Sequence, residues 1–357
     1  MDIYPKLSID LSKIEHNTRT ISNLASKQEI QITGVTKCCC GDVRVAEAML
    51  RGGATSIGDS RIDNLRQLRE SGIDTELILL RTPMLSKARE VVKYSDISLN
   101  SELSVISKLS AEALKNSKTH RVVLMVEMGD LREGVPIEQL ETTIERAKKL
   151  EGIELYGLGM NLACYGGVVP TVEKIHEFSD IVSGMENKFD LNFELVSGGN
   201  SANIPLLIND STPTRINNLR IGEGILLGLE TVNRTPIPNT YQDAFILEAE
   251  IIELNEKPSI PEGELSQNAF GETPEFEDLG KIRRGILAIG RQDVIIEGLR
   301  PLDDKISILG SSSDHIIFQV NSDAYKVGDV LKFQMDYGGL LHLCTSKYVD
   351  KGVIVKN

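Results

Sequence analysis

The sequence predicts a (β/α)8 barrel followed by an all-β domain. Short apolar runs alternate with helical patterns from residue 12 to about 228, in eight repeats. After 231–236 the alternation stops, and strand-like runs joined by turns take over. A third observation concerns placement: the first apolar run of the alternation, 32–36, ends at Lys37, where a first barrel strand meets the active-site face.

The expected barrel strands are 32–36, 55–58, 77–80, 96–99, 121–127, 155–160, 193–197 and 219–222. Helices are expected near 43–52, 61–71, 85–93, 101–116, 136–150, 170–187 and 201–208, with Asp42, Ser60 and Ser101 as N-caps and Pro136 in a first turn. A doubly wound open sheet would rarely use eight evenly spaced units. Residues 7–11 alternate like a strand, and 12–26 place Ile14, Thr18, Ile21 and Leu24 on one helical face. The expected division is 1–11 as a strand joining the C-terminal domain, 12–235 as the barrel and 236–357 as the β domain. In that last domain 244–254, 284–290, 293–297, 305–309, 315–320 and 329–335 read as strands, and 256–281 as a long surface loop.

With 357 residues, the chain has room for a barrel and a second domain. A net charge of −13 argues against a nucleic-acid partner and fits a soluble enzyme. No apolar run spans a bilayer and the first residues lack a signal peptide's apolar core, so a cytoplasmic protein is expected. Five cysteines, an odd count, read as reduced thiols. The triplet Cys38–Cys40 lacks CxxC spacing, so no metal is expected; on an extended strand end, Cys38 and Cys40 would share one face.

Polar residues at the strand ends are the candidates for chemistry. Lys37 can form a Schiff base with an aldehyde cofactor. After the fifth strand comes Gly129-Asp130-Leu131-Arg132-Glu133-Gly134, presenting an arginine suited to a carboxylate. The sixth strand ends at Asn161. The seventh runs into Ser197-Gly198-Gly199-Asn200-Ser201, whose glycines and helix-start N–H groups have the chemistry of a phosphate cradle. The eighth carries Arg220 and then Gly222. A guanidinium inside an apolar strand needs an acceptor, and Glu223 could supply one. Lysine, cradle and strand-borne arginine together describe a pyridoxal 5'-phosphate site.

Over nearly its whole length the chain resembles the alanine racemase-like, fold-type III pyridoxal phosphate enzymes. More closely it resembles their ornithine racemase branch. That likeness rests on Gly34-Val35-Thr36-Lys37 with Cys40-Gly41-Asp42, Ile57-Gly58-Asp59-Ser60-Arg61-Ile62, 127–134, 161–167 and Gly290-Arg291-Gln292-Asp293. The resemblance implies an amino-acid racemase, most closely one for ornithine, acting by α-proton removal and return. Lys37 would carry the cofactor and serve as one base, and Arg132 would bind the substrate carboxylate. Asn161, Asn200, Ser201, Gly222 and Tyr348 would contact the cofactor, and Arg220 would donate to its pyridine nitrogen. A head-to-tail homodimer with shared sites is also implied.

Two departures stand out. Met125 occupies the place of a carbamylated lysine, and 242–324 contain no tyrosine to act as the second base. Asp314, His315, Cys164, Tyr165 and Tyr337 are the candidates, with Asp314 expected in the loop that reaches the partner's site. Asp59, Glu127, Asp130 and Glu133 are candidates for a substrate's distal ammonium. Racemases for lysine or alanine, a related decarboxylase and a non-catalytic cofactor carrier are the rival readings.

Overall fold

The computed structural model describes residues 3–213 and 215–354. The chain forms two compact units: Leu11–Gln242, and the chain before Leu11 joined to the chain from Asp243. Strand β1 (Lys6–Ile9) belongs to the second, and helix α1 (Leu11–Ser26) opens the first.

The first unit is a closed parallel barrel of eight strands: β2 (Gln31–Val35), β3 (Ser56–Asp59), β4 (Glu76–Leu79), β5 (Ile97–Asn100), β6 (His120–Met125), β7 (Ile153–Gly159), β8 (Leu195–Ser197) and β9 (Asn218–Ile221). The circle closes where Ile32 of β2 pairs with Leu219 of β9. Around it run α2 (Val43–Arg51), α3 (Ile62–Glu70), α4 (Ala88–Tyr94), α5 (Leu103–Lys115), α6 (Ile137–Ala147), α7 (Val172–Phe189), α8 (Ile204–Ile208) and α9 (Glu223–Leu227). All eight expected strands are present, displaced by one or two residues at their ends.

Asp42 caps α2, accepting from the Arg44 and Val45 N–H groups. Ser60 and Ser101 do not cap. The cap positions fall one residue later, at Arg61 and Glu102, neither of which bonds through its side chain. Asp59 supplies an acceptor for α3 instead, its Oδ1 taking the Arg61 N–H at 2.9 Å. Pro136 sits at the cap position of α6 rather than inside its first turn. The barrel unit also continues past Thr235, because Asn17 on α1 grips Tyr241 from both sides. The Tyr241 N–H donates to Asn17 Oδ1 at 2.7 Å, and Asn17 Nδ2 donates to the Tyr241 carbonyl at 2.8 Å.

The barrel interior has two sectors. Ile78, Ile97, Leu99, Val123, Met125 and Leu195 form one buried cluster. A cluster joining β4, β5 and β6 to β8 must meet across the lumen, so these positions point inward. Side chains alternate along a strand, so Ser197 points inward with Leu195. From Ser197 a hydrogen-bonded chain continues: its hydroxyl donates to Asn218 Oδ1 at 2.7 Å, Asn218 Nδ2 donates to Thr33 Oγ1 at 2.9 Å, and Thr33 meets Ser56 at 2.8 Å. One side of the lumen is therefore apolar and the other is a polar ladder.

In the second unit β10 (Phe245–Pro258) is the spine, paired antiparallel with β1, β11 (Lys281–Leu287) and β15 (Val330–Met335). β12 (Leu299–Pro301) joins β15, β14 (Ile316–Val320) joins β11, and β13 (Ile306–Ser311) joins β14. Helix α10 (Tyr337–Thr345) follows, and β16 (Asp350–Val353) pairs parallel with β1. The unit is therefore mostly antiparallel sheet but not purely β. Asp336 starts α10 by accepting the Gly339 N–H at 2.8 Å. The expected strand at 293–297 is absent: this stretch turns into a short 3₁₀ helix, Ile296–Gly298. The expected loop is real, with β10 running on to Pro258 and no regular element until Lys281. Among the described residues no helix is long and apolar enough to cross a membrane.

Candidate active site

The polar ladder leads to Arg220. This residue is almost fully buried, and burial pushes its guanidinium down to about 10. It remains a cation at neutral pH. Arg220 donates to Ser197 Oγ, to the Met160 carbonyl at 2.9 Å and to Asn161 Oδ1 at 3.3 Å. All three acceptors are uncharged. Glu223, the acceptor considered from sequence, is engaged by Arg234 instead. Arg220 thus leaves net positive charge at the top of the barrel.

Asn161 and Asn200 continue the network. Asn200 Nδ2 reaches Asn161 Oδ1 at 3.2 Å, the Leu162 carbonyl at 2.8 Å and Cys164 Sγ at 3.4 Å, while its Oδ1 takes the Ala202 N–H at 2.8 Å. Asn161 Oδ1 is therefore fully used, but its Nδ2 is buried with no hydrogen-bond partner among the described residues. A buried amide donor left unpaired costs roughly 1–3 kcal/mol, so a ligand acceptor there would be stabilising.

The turn after β8 is built for close approach. Gly199 has φ of +126°, and a Cβ on it would sit 2.6 Å from Asn203 Nδ2. Ser201 Oγ accepts the Gly224 N–H at 3.1 Å, tying this turn to α9. Gly222 precedes α9, and a Cβ there would come within 3.3 Å of Val35. Val35 ends β2, and Lys37 follows two residues later in a 3₁₀ turn, Lys37–Cys39. Lys37 is exposed, and its ammonium has no hydrogen bond or ion pair among the described residues. Cys38 and Cys39 are buried, while Cys40 turns left-handed at φ +55°, so the triplet does not continue the strand. Thr36 holds the base of the turn by donating to Asp59 Oδ2 at 2.9 Å.

Two loops frame the remaining side. Val126 bridges to Val135, closing the base of 127–134. At its tip Arg132 forms a two-pronged ion pair with Glu133. Desolvation works against the Arg132 cation, but Glu133, with Cys164 and Asp130 nearby, holds it above the usual arginine range. Asp130 is buried and clamps the second loop, accepting the N–H groups of Cys164, Tyr165 and Val168 at 2.9 to 3.4 Å.

The remaining candidates lie in the other unit. Tyr348 is 63% exposed, in the turn before β16, and is not packed in a strand. Asp314 lies in the β13–β14 hairpin beside His315, with Nδ1 at 3.0 Å. Some desolvation pushes its carboxyl up. Neighbouring His315 and the Ser312 and Ser313 hydroxyls outweigh this and hold it below the usual range. Gly290 has no room for a side chain under this hairpin, since a Cβ would lie 2.4 Å from the Asp314 N.

Sequence reasoning missed the ladder Ser56–Thr33–Asn218–Ser197 and the clamp at Asp130. A signal for the ladder existed, in polar residues at inward positions of otherwise apolar strands. The clamp had no local signal, since its partners lie more than thirty residues away.

Residues 9–229 match the family described as alanine racemase, N-terminal domain. The chain belongs to the alanine racemase family. It is 43% identical to an ornithine racemase of Acetoanaerobium sticklandii over 99% of this chain and 100% of that one. It is 40% identical to a lysine racemase of Thermotoga maritima over 98% of each. Among solved structures, an alanine racemase from Streptomyces lavendulae superposes with a TM-score of 0.77, 16% identity, and coverage of 99% of this chain and 97% of that one. This family member is an amino-acid racemase, an isomerase, and the enzymes of its family depend on pyridoxal phosphate.

Proposed function

We propose that this racemase interconverts L- and D-ornithine, with lysine the nearest alternative, using pyridoxal 5'-phosphate. The observation that carries the reading is the full-length similarity to an ornithine racemase, slightly greater than that to a lysine racemase.

The residues present suit the cofactor. Asn161 offers an unpaired buried amide donor, Gly199 keeps its turn clear of side chains, and Lys37 has a free amine. Lys37 would hold the cofactor covalently, Asn200, Ser201 and Gly222 would lie along its phosphate, and Tyr348 would add a hydroxyl. When bound, pyridoxal phosphate supplies the electron-withdrawing ring that acidifies the substrate's α-hydrogen.

Arg220 would face the pyridine nitrogen. A group that stays cationic at neutral pH discourages protonation there, which tempers the ring's pull and favours proton return over transamination. Arg132 would hold the α-carboxylate. Lys37 Nζ would remove the α-hydrogen from one face and return it there. On the opposite face we propose Asp314, ionised at neutral pH and so an acceptor, from the β unit of a second copy in a head-to-tail homodimer. Replacing Asp314 by Asn should then leave solvent-deuterium entry into one enantiomer while slowing net racemisation at least tenfold.

The deciding experiment follows colour and exchange. Purified protein should be yellow, and borohydride should fix the cofactor on the Lys37 peptide. L-Ornithine in heavy water should gain deuterium at its α-carbon and lose optical rotation. Exchange with alanine but not ornithine would move the substrate assignment. No colour after adding cofactor would sink the cofactor reading.

A further inference from the structure

A racemase for a basic amino acid must recognise a distal ammonium as well as an α-carboxylate. Four acids lie close enough in sequence to the site to do so, and the structure separates them. Asp59 is fully buried, and its two oxygens already accept from Thr36, the Arg61 N–H and Asn64. Asp130 is buried and spends both oxygens on the second loop's backbone, Oδ2 on Cys164 and Tyr165 and Oδ1 on Val168. Glu127 folds its Oε1 back onto the Gly129 N–H at 2.6 Å and the Leu131 N–H at 3.1 Å. Each of these carboxylates is committed to holding loop backbone or a neighbouring side chain in place. Glu133 holds no backbone: among the described residues its hydrogen-bond partner is the Arg132 guanidinium, and its side chain is 21% exposed.

We propose that Glu133 binds the distal ammonium of the substrate, and that the Arg132–Glu133 pair is the empty form of a two-charge receptor. The assignment rests on the racemase reading above. A basic amino acid carries a carboxylate at one end and an ammonium at the other. On entry its carboxylate takes Arg132 and its ammonium takes Glu133, so one internal ion pair gives way to two with the ligand. No bond is broken other than hydrogen bonds, and no proton is transferred.

The exchange is energetically reasonable because neither charge is left unpaired: the ligand's carboxylate replaces Glu133 on Arg132, and its ammonium replaces Arg132 on Glu133. The loop that carries them is fixed. The Glu127 N–H donates to the Val135 carbonyl at 3.0 Å and the Val135 N–H to the Met125 carbonyl at 2.7 Å, so both charges are presented together. The Gly166 N–H adds a bond to the Asp130 carbonyl at 3.1 Å. Both charges are felt at the barrel centre, Glu133 supporting the Arg220 cation and Arg132 opposing it.

The test compares L-ornithine, L-lysine and L-norvaline, which is ornithine without its amine, on the holoenzyme and on Glu133→Gln and Glu133→Asp. α-Hydrogen exchange is the rate measured. Glu133→Gln should lose about ten- to hundredfold in kcat/KM on both basic substrates, chiefly through KM, as expected for one charge-assisted hydrogen bond. Norvaline should be unaffected or improved, and Glu133→Asp should recover part of the loss. Equal losses on all three substrates would show that Glu133 only positions Arg132 and would overturn the proposal. So would no loss on any. Norvaline turnover reports that each variant is folded. A second measurement needs no turnover: calorimetric binding of L-ornithine to cofactor-loaded Lys37→Ala should weaken when Glu133→Gln is added, while norvaline binding should not. If wild type exchanges no amino acid, the racemase reading fails, and the binding comparison still decides Glu133.

Discussion

Arg220 combines its proposed place beside the cofactor with a cost in stability. Holding its guanidinium at about 10 rather than 12.5 corresponds to about 3 kcal/mol of cost for burying the charge. Its bonds to Ser197, Met160 and Asn161 offset part of that cost. Arg220→Met removes both the cost and the bonds, so stability should change by less than about 2 kcal/mol. If Arg220 faces the pyridine nitrogen as proposed, racemisation should fall at least a hundredfold, because a neutral side chain would no longer govern that nitrogen. Thermal melting and initial rates on the same preparation check this. A large drop in melting temperature would mean the arginine is structural first. Only part of this was legible in the sequence: Arg220 stood out as polar within an apolar strand, but its uncharged acceptors come from β8 and the end of β7, which no local pattern connects.

Pairs of elements reveal constraints that single residues hide. His120 on β6 meets Ser98 on β5 at 2.9 Å, and burial pushes its imidazole down to about 4, with neighbouring Arg121 adding to the effect. The unfolded chain takes up this proton near 6.5 and the folded one only near 4. Between those values the unfolded state binds more protons, so stability is full above pH 6.5 and is lost as pH falls towards 4. The loss approaches about 3 kcal/mol. In His120→Gln, urea midpoints measured from pH 7 to 4 should decline less steeply than in wild type.

Asp130 makes the same kind of link between the two loops beside Arg132. Asp130→Ala strips acceptors from three backbone N–H groups and should cost about 2 kcal/mol locally. Hydrogen exchange at 164–168 should then quicken and KM should rise, with the barrel amides unchanged. At this scale the sequence was informative where periodicity was local. The eight strands and the Asp42 cap follow from alternation and a short polar residue. Helix α10 was hidden because Tyr337-Gly338-Gly339 reads as a turn; Asp336, by accepting the Gly339 N–H, starts a helix there anyway. The run 293–297 read as a strand on the strength of Val294, Ile295 and Ile296. Val294 and Ile296 are buried in a 3₁₀ turn instead, where no neighbouring strand is needed.

The order of the chain sets how the whole molecule is completed. In the barrel each strand pairs with the next in sequence, and one longer pairing, β2 with β9, closes the circle. The other unit is closed by the two ends of the chain. β1 pairs with β10 through Lys6 and Glu248, and with β16 through Lys6 and Asp350, and β1 is the partner that holds β16 in the sheet. The Ile354 N–H also donates to the Ile9 carbonyl at 2.9 Å. Such distant pairings form late, because the entropy of closing the loop is lost before the contacts repay it. Removing the residues before Leu11 should therefore leave the barrel's circular dichroism largely in place while β16 loses its sheet partner and β10 gains an unpaired edge. Limited proteolysis of that truncated chain should cut after residue 242 and leave a protected fragment containing Leu11–Gln242. In the full chain, refolding should show barrel amides protected before those of β1 and β16. Simultaneous protection of both sets, or a truncated chain as protease-resistant as the full one, would show that the second unit does not depend on its N-terminal strand.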